Sequence, residues 1–234
     1  MVGVSGYGPG MNALATAARA ASSAGGQVLR AATGIVATRP AAKPLHPQGS
    51  VVRGTLRRSG SDTQTGAAWL DEAGDDLVWV RQSRAVGLPS PAPDIFGLAI
   101  RVPIEGGRHG DLLFATTGLG RLTRYTLTPA RSPHGRPLTT LLPYRTPAGP
   151  LLVAAVFLDE VTVRMAWAVG SGAWHHFAEL SLHADQAEQD EDAPLSFDPV
   201  RNVLPGLEPY DWVRRLREPA YLTARRSRSG RGAR

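Results

Sequence analysis

The chain contains no cysteine. That excludes disulfides, thiolate nucleophiles, cysteine-ligated zinc and iron–sulfur clusters, and it accords with a reducing, cytoplasmic setting. No apolar run approaches the roughly eighteen residues that a membrane-spanning helix needs. The N-terminal stretch "MVGVSGYGPGMNALATAARAASSAGG" lacks the basic-then-apolar order of a signal peptide. Neither a GxxxxGK[ST] phosphate loop nor a G-x-S-x-G elbow occurs, and no histidines stand at H-x-H or H-E-x-x-H spacing. Phosphate-loop, α/β-hydrolase and zinc-hydrolase chemistry therefore have no support. The glycines of "TTGLGR" lack the following helix that would make them a nucleotide-binding turn.

What is present is an ordinary globular composition, 42% hydrophobic and 20% charged over 234 residues, enough for one real core. The net charge of +6 is local. Eight arginines from Arg214 to Arg234 face only Glu218, which leaves the rest of the chain close to neutral. The basicity is a C-terminal segment and not a nucleic-acid-binding face.

Three parts are expected: an N-terminal helical arm over 1–38, a main domain over 39–228, and a disordered basic tail over 229–234. Residues 11–38 carry a weak helical stripe that Gly25 and Gly26 break. "TRPAAKPLHPQGS" must be extended and irregular because of its prolines. From Val51 to Leu182, eight runs read as strands: "VVRGTLRR", "DLVWVRQSR", "IFGLAIRV", "DLLFATT", "LTRYTLT", "LLVAAVF", "VTVRMAWAV" and "WHHFAELSL". They predict an antiparallel barrel or sandwich. "ADQAEQDEDAPLS" reads as an acidic loop and "FDPVRNVLPGLEP" as irregular chain. A last helix is expected over 212–228, capped by Asp211 and kinked at Pro219.

Few residues stand out chemically. His175 and His176 are neighbours in a strand-like run and point to opposite faces, so they do not share a metal. His109, His134 and His183 lie in loop or loop-edge settings. His46 is held stiffly between two prolines in "KPLHPQG", a setting that suits a catalytic base as well as a plain loop histidine. In "VRQSR", alternation puts Arg81 and Ser83 on one face and Val80, Gln82 and Arg84 on the other. The Arg81–Ser83 face is either an inward polar pair or an outward polar edge.

In order along residues 39–228, these fragments resemble the haem catalases and their small catalase-like relatives. "LHPQGSVVRG" supplies His46, Gly49 and Gly54, and "VRQSR" supplies Arg81 and Ser83. "PDIFGLAIRV" supplies Asp94, Gly97, Ala99 and Arg101, and "DLLFATT" is a strand opening on Asp-Leu. "REPAYLTARRSR" places Arg217 four residues before Tyr221, with Arg226 and Arg228 after it.

The resemblance implies an α+β fold: an antiparallel β-barrel core of catalase-like type with N-terminal and C-terminal helices. It implies haem b held by the Tyr221 phenolate, with Arg217 one helical turn away donating to that oxygen. The propionates would be met by Arg81, Arg228 and Lys43, the last a lysine where the family has arginine. On the distal side His46 would be the acid–base group and Ser83 would orient its ring. The distal asparagine of the family falls at Thr116, a shorter donor, and the aromatic two residues after Arg217 is replaced by Pro219.

The implied activity is peroxidase-type or hydroperoxide-cleaving, with a peroxide or hydroperoxide as substrate. Two other readings stay open: a barrel of this fold without haem, acting as a binding or scaffold module, and a barrel whose arginine-rich tail contacts nucleic acid or anionic lipid. The oligomeric state is not assigned.

Overall fold

A computed structural model describes residues 48–85, 87, 91–183 and 195–215. Ten strands form one antiparallel sheet. They are β1 (Gln48–Ser59), β2 (Ala73–Arg84), β3 (Phe96–Ile104), β4 (Arg108–Thr116), β5 (Leu138–Thr139), β6 (Tyr144–Thr146), β7 (Gly149–Phe157), β8 (Thr162–Val169), β9 (His175–His183) and β10 (Glu208–Pro209). Eight of these close a ring in the order β1-β2-β3-β4-β5-β7-β8-β9, with β9 returning to β1. β6 and β10 continue along one edge of β7. The architecture is thus an antiparallel barrel whose closure is continuous except at the β4–β5 seam, which pairs over two residues.

Alternation decides which side chains go inside. Val78, Val80, Leu98, Ile100, Val102, Leu112 and Phe114 recur every second residue, and all are buried in the barrel core. In β9 the pattern slips: Phe177 and Ala178 are consecutive and both buried. A β-bulge opposite Met165 and Ala166 of β8 accounts for this, since it inserts one residue and changes the strand's parity. Gly54 is needed where β1 meets β9. A Cβ there would stand 2.9 Å from Leu180 Cδ1 and 3.0 Å from the Ser181 carbonyl.

Helix is scarce among the described residues. One short helix, α1 (Ala68–Asp71), plugs the barrel beside Arg58, and a helical turn runs over 211–215. The expected helical arm at 1–38 lies outside the described residues, as do residues 184–194 of the acidic loop, the last helix beyond 215 and the basic tail.

One expected strand is absent. "LTRYTLT" instead curls through a 3-10 turn, Thr123–Tyr125. Its composition favours β, but Arg124 is buried there and draws the chain around itself. The guanidinium donates to the carbonyls of Leu119, Gly120, Gly170 and Gly172 and lies over the Trp174 ring. Burial pushes its pKa down from the usual arginine range. Strands β5, β6 and β10 went unpredicted because two or three residues carry no readable alternation.

The irregular stretch after the acidic loop has a defined task. β4 pairs with β5 only at Ala115 and Thr116, so the rest of that seam in the barrel needs covering. Residues 195–210 cover it as a strap, with Leu204 and Leu207 inserted into the core. The Asp111 amide donates to the Asn202 carbonyl at 2.9 Å.

The strap is fastened by one carboxylate. Asp111, whose side chain has no exposure, takes two hydrogen bonds from Arg101, at 2.8 and 2.9 Å. It takes two more, each at 2.7 Å, from the Asp198 amide and Asn202 Nδ2. Arg101 in turn donates to the Ser196 carbonyl at 2.6 Å. Removing one partner of a buried, hydrogen-bonded ion pair costs about 3 kcal/mol or more, whereas an exposed pair is worth under about 1 kcal/mol. Asp111→Ala is therefore expected to lose about 3 kcal/mol of stability in urea unfolding. Glu208→Ala, which breaks the exposed Arg145–Glu208 pair, should lose under about 1 kcal/mol. Equal losses from the two variants would contradict the fastening role of Asp111.

Candidate functional site

The even-numbered residues of β2 to β4 fill the barrel, so the odd-numbered ones form its outer wall. Strand register sorts that wall into rows. Gly49, Ser83, Gly97 and Ala115 stand side by side; the next row is Val51, Arg81, Ala99 and Leu113; the third is Arg53, Trp79, Arg101 and Asp111. The first two rows are small or aliphatic apart from Ser83 and Arg81. Gly97 and Val51 are buried, while Arg81, Ser83, Ala99, Leu113 and Ala115 are half-buried. The third row is a rim of stacked side chains. Arg53 lies over Trp79 at 3.4 Å, and Arg101 lies 5.0 Å from the Phe197 ring of the strap.

Ser83 and Arg81 stand on β2 with small or aliphatic residues on both sides, Gly49 and Val51 of β1 and Gly97 and Ala99 of β3. Such a surface can take a planar apolar ligand through van der Waals contact. The guanidinium can meet an acid group of that ligand.

The expected site residues fall into three groups. Arg81 and Ser83 are together on this wall, on the outward side of the barrel, which settles the two options that alternation left open. Neither is without a partner. Thr116 is on the opposite side of the sheet, paired with Leu138 of β5, and is fully buried. Its hydroxyl accepts from the Phe96 amide at 3.2 Å, so it caps the start of β3 and does not share the wall with Ser83. His46, Lys43, Arg217, Tyr221 and Arg228 lie outside the described residues.

The Asp94 and Arg101 of "PDIFGLAIRV" have structural work. Asp94 is buried, accepts from the Gly87 and Ile95 amides at 2.7 Å each, and stands 3.6 Å from Arg84 Nε. It also exchanges backbone hydrogen bonds with Ala130. Arg101 holds Asp111.

Two residues of the wall escaped the sequence reading, Arg53 and Trp79. Each is visible in the sequence, but only strand pairing shows that they face one another. The signal that could have found them is the odd–even parity of "VVRG" and "VWVRQSR", taken with the register that Gly49 and Ser83 imply. Near the rim, Thr55 Oγ1 and His183 Nε2 are hydrogen-bonded at 3.1 Å. Among the described residues, no three histidine, aspartate or glutamate side chains converge as a metal group.

No protein-family model matches the chain. Nor does any curated protein match it. Among solved structures, a bacterial catalase is similar, with a TM-score of 0.53 and 13% sequence identity. The similarity covers 79% of this chain and 56% of the catalase chain, so this chain spans little more than half of that protein. At that identity the likeness is one of fold. The barrel is catalase-like in architecture, and the arrangement of small residues, Arg81 and Ser83 stands on an outer wall of that barrel.

Proposed function

We propose that the protein is a haem-binding member of this fold that cleaves peroxides or organic hydroperoxides, with haem b lying on the β1–β4 wall. The observation that carries this reading is the row Gly49–Ser83–Gly97–Ala115, with Arg81 beside it. His46 precedes Gly49 by three residues, a span of at most about 10 Å. The serine is thus within reach of the imidazole that the resemblance pairs with it.

The residues present fit such a group. The residues around Arg81 and Ser83 are small or aliphatic, which suits a macrocycle, and Arg81 offers a cation for an acid group. Tyr221 would hold the iron as phenolate, with Arg217 supplying the charge that keeps it ionised. Lys43 and Arg228 would join Arg81 on the propionates. When bound, haem supplies an open iron position and the electrons for breaking an O–O bond.

The chain's own residues manage the proton. His46 Nε2 takes the hydroperoxide proton and returns it to the departing oxygen, so that the leaving group departs as water or an alcohol. Ser83 fixes the ring of His46 for that transfer. Arg81 orients the ligand by its acid groups and does not touch the reacting oxygens.

A second reading, a catalase-fold barrel that holds another apolar ligand or serves as a scaffold without haem, is favoured by Thr116. Its side chain faces away from the wall, where its hydroxyl oxygen accepts from the Phe96 amide. A distal hydrogen-bond donor at that position is therefore missing from the wall.

The two readings part on the absorption spectrum. Protein loaded with ferric haem should show a Soret band that Tyr221→Phe abolishes or strongly shifts; an unchanged band in that variant would reject the ligand assignment. His46→Ala should then slow hydroperoxide cleavage by about a hundredfold or more. Thr116→Val should leave the haem spectrum and the cleavage rate unaltered. It should cost about 1–2 kcal/mol of stability in urea, because a buried amide loses its acceptor. A slowed rate at full stability would give Thr116 back the distal role.

A further inference from the structure

Five guanidinium–aromatic pairs occur among the described residues, and four of the five arginines spend their N–H groups on protein acceptors. Arg58 donates to Asp76 and to the Trp69 and Glu72 carbonyls. Arg84 stands 3.6 Å from Asp94 and donates to the Ala92 carbonyl. Arg101 donates from Nε and Nη2 to Asp111 and the Ser196 carbonyl. Arg124 donates to four carbonyls.

Arg53 is the exception. Its guanidinium is the closest of the five to its ring, 3.4 Å from the Trp79 centroid, and no carboxylate or carbonyl among the described residues accepts from it. Stacking at that distance lays the planar group flat, with its N–H edge directed sideways along the wall. An arginine so held has lost much of its conformational freedom before any ligand arrives. Its fork is shaped for a carboxylate.

Trp79 and Arg81 are two residues apart on β2 and share the outer face, which sets their Cα atoms roughly 7 Å apart. The Arg53 guanidinium lies over Trp79, so it and Arg81 border the same apolar patch of Val51, Ala99 and Leu113. We infer that Arg53, laid flat on Trp79, is a carboxylate-binding residue of this wall. With Arg81 it grips a flat apolar ligand carrying two acid groups at one edge.

This rests on the reading of the β1–β4 wall as the ligand surface, but it concerns recognition of the acid groups and not of the metal. The two ideas can therefore fail separately. The experiment compares ferric protoporphyrin IX, metal-free protoporphyrin IX and the dimethyl ester of the latter, titrated against the full chain by absorbance and tryptophan quenching. Arg53→Gln should weaken binding of both acids about tenfold and leave the ester unchanged. Trp79→Leu, which removes the platform under the guanidinium, should weaken the acids severalfold.

Wild-type affinity of Arg53→Gln for both acids would overturn the inference. Equal losses for acid and ester would do the same, since they would show a packing role only, and so would failure of the wild type to bind either acid. Arg53-dependent binding of the metal-free acid, without a Tyr221-dependent Soret band for the ferric one, would uphold the inference while rejecting haem as the working cofactor.

Discussion

The architecture turns on Asp111, a carboxylate with no exposure that receives four hydrogen bonds from three residues, one on β3 and two on the strap. A buried charge is tolerated only when its lone pairs are satisfied, so Arg101 and the strap must both be in place for the barrel to close. The consequence reaches both faces of the wall. Inward, Leu204 and Leu207 are drawn into the core, and Gly110 leaves room for Leu204. Outward, Arg101 and Phe197 are stacked into the rim that bounds the platform of Gly97, Ala99 and Ala115.

One short sequence thereby serves two ends. In "VWVRQSR" the even residues build the core and the odd residues build the wall, because side chains alternate across a strand. The core side is apolar at Val78 and Val80 and closes near the barrel mouth with the Arg84–Asp94 pair. The wall side carries Trp79, Arg81 and Ser83 in succession. Ser83 and Arg81 are thus flanked on both sides by small or aliphatic residues of β1 and β3, which gives the wall a polar pair set in apolar surroundings.

Much of this could be read from the residues alone. Strands of eight to twelve residues showed their alternation, and the pairing of Arg81 with Ser83 on one face followed from parity. The side on which Thr116 lies is equally legible: it stands five residues after Asp111, an odd offset, and so points to the other side of the same strand. "LTRYTLT" has strand composition, and only burial of Arg124 against four carbonyls explains why it curls. The strands of two and three residues left no pattern to find. Arg101 and Asp111 appeared as motif letters with no physical partner, since their contact spans a hairpin. Arg53 and Trp79 meet through register between strands, which composition does not report. The residues that the family resemblance singles out beyond β1 and after the strap rest on that resemblance.

The barrel is catalase-like in fold, and its β1–β4 outer wall is the proposed ligand surface. The most direct test is a crystal structure of the chain grown with ferric protoporphyrin IX. The account predicts the macrocycle flat against Gly97, Ala99 and Ala115, with its acid groups toward Arg81. A macrocycle bound elsewhere, or a wall left bare at saturating porphyrin, would contradict it.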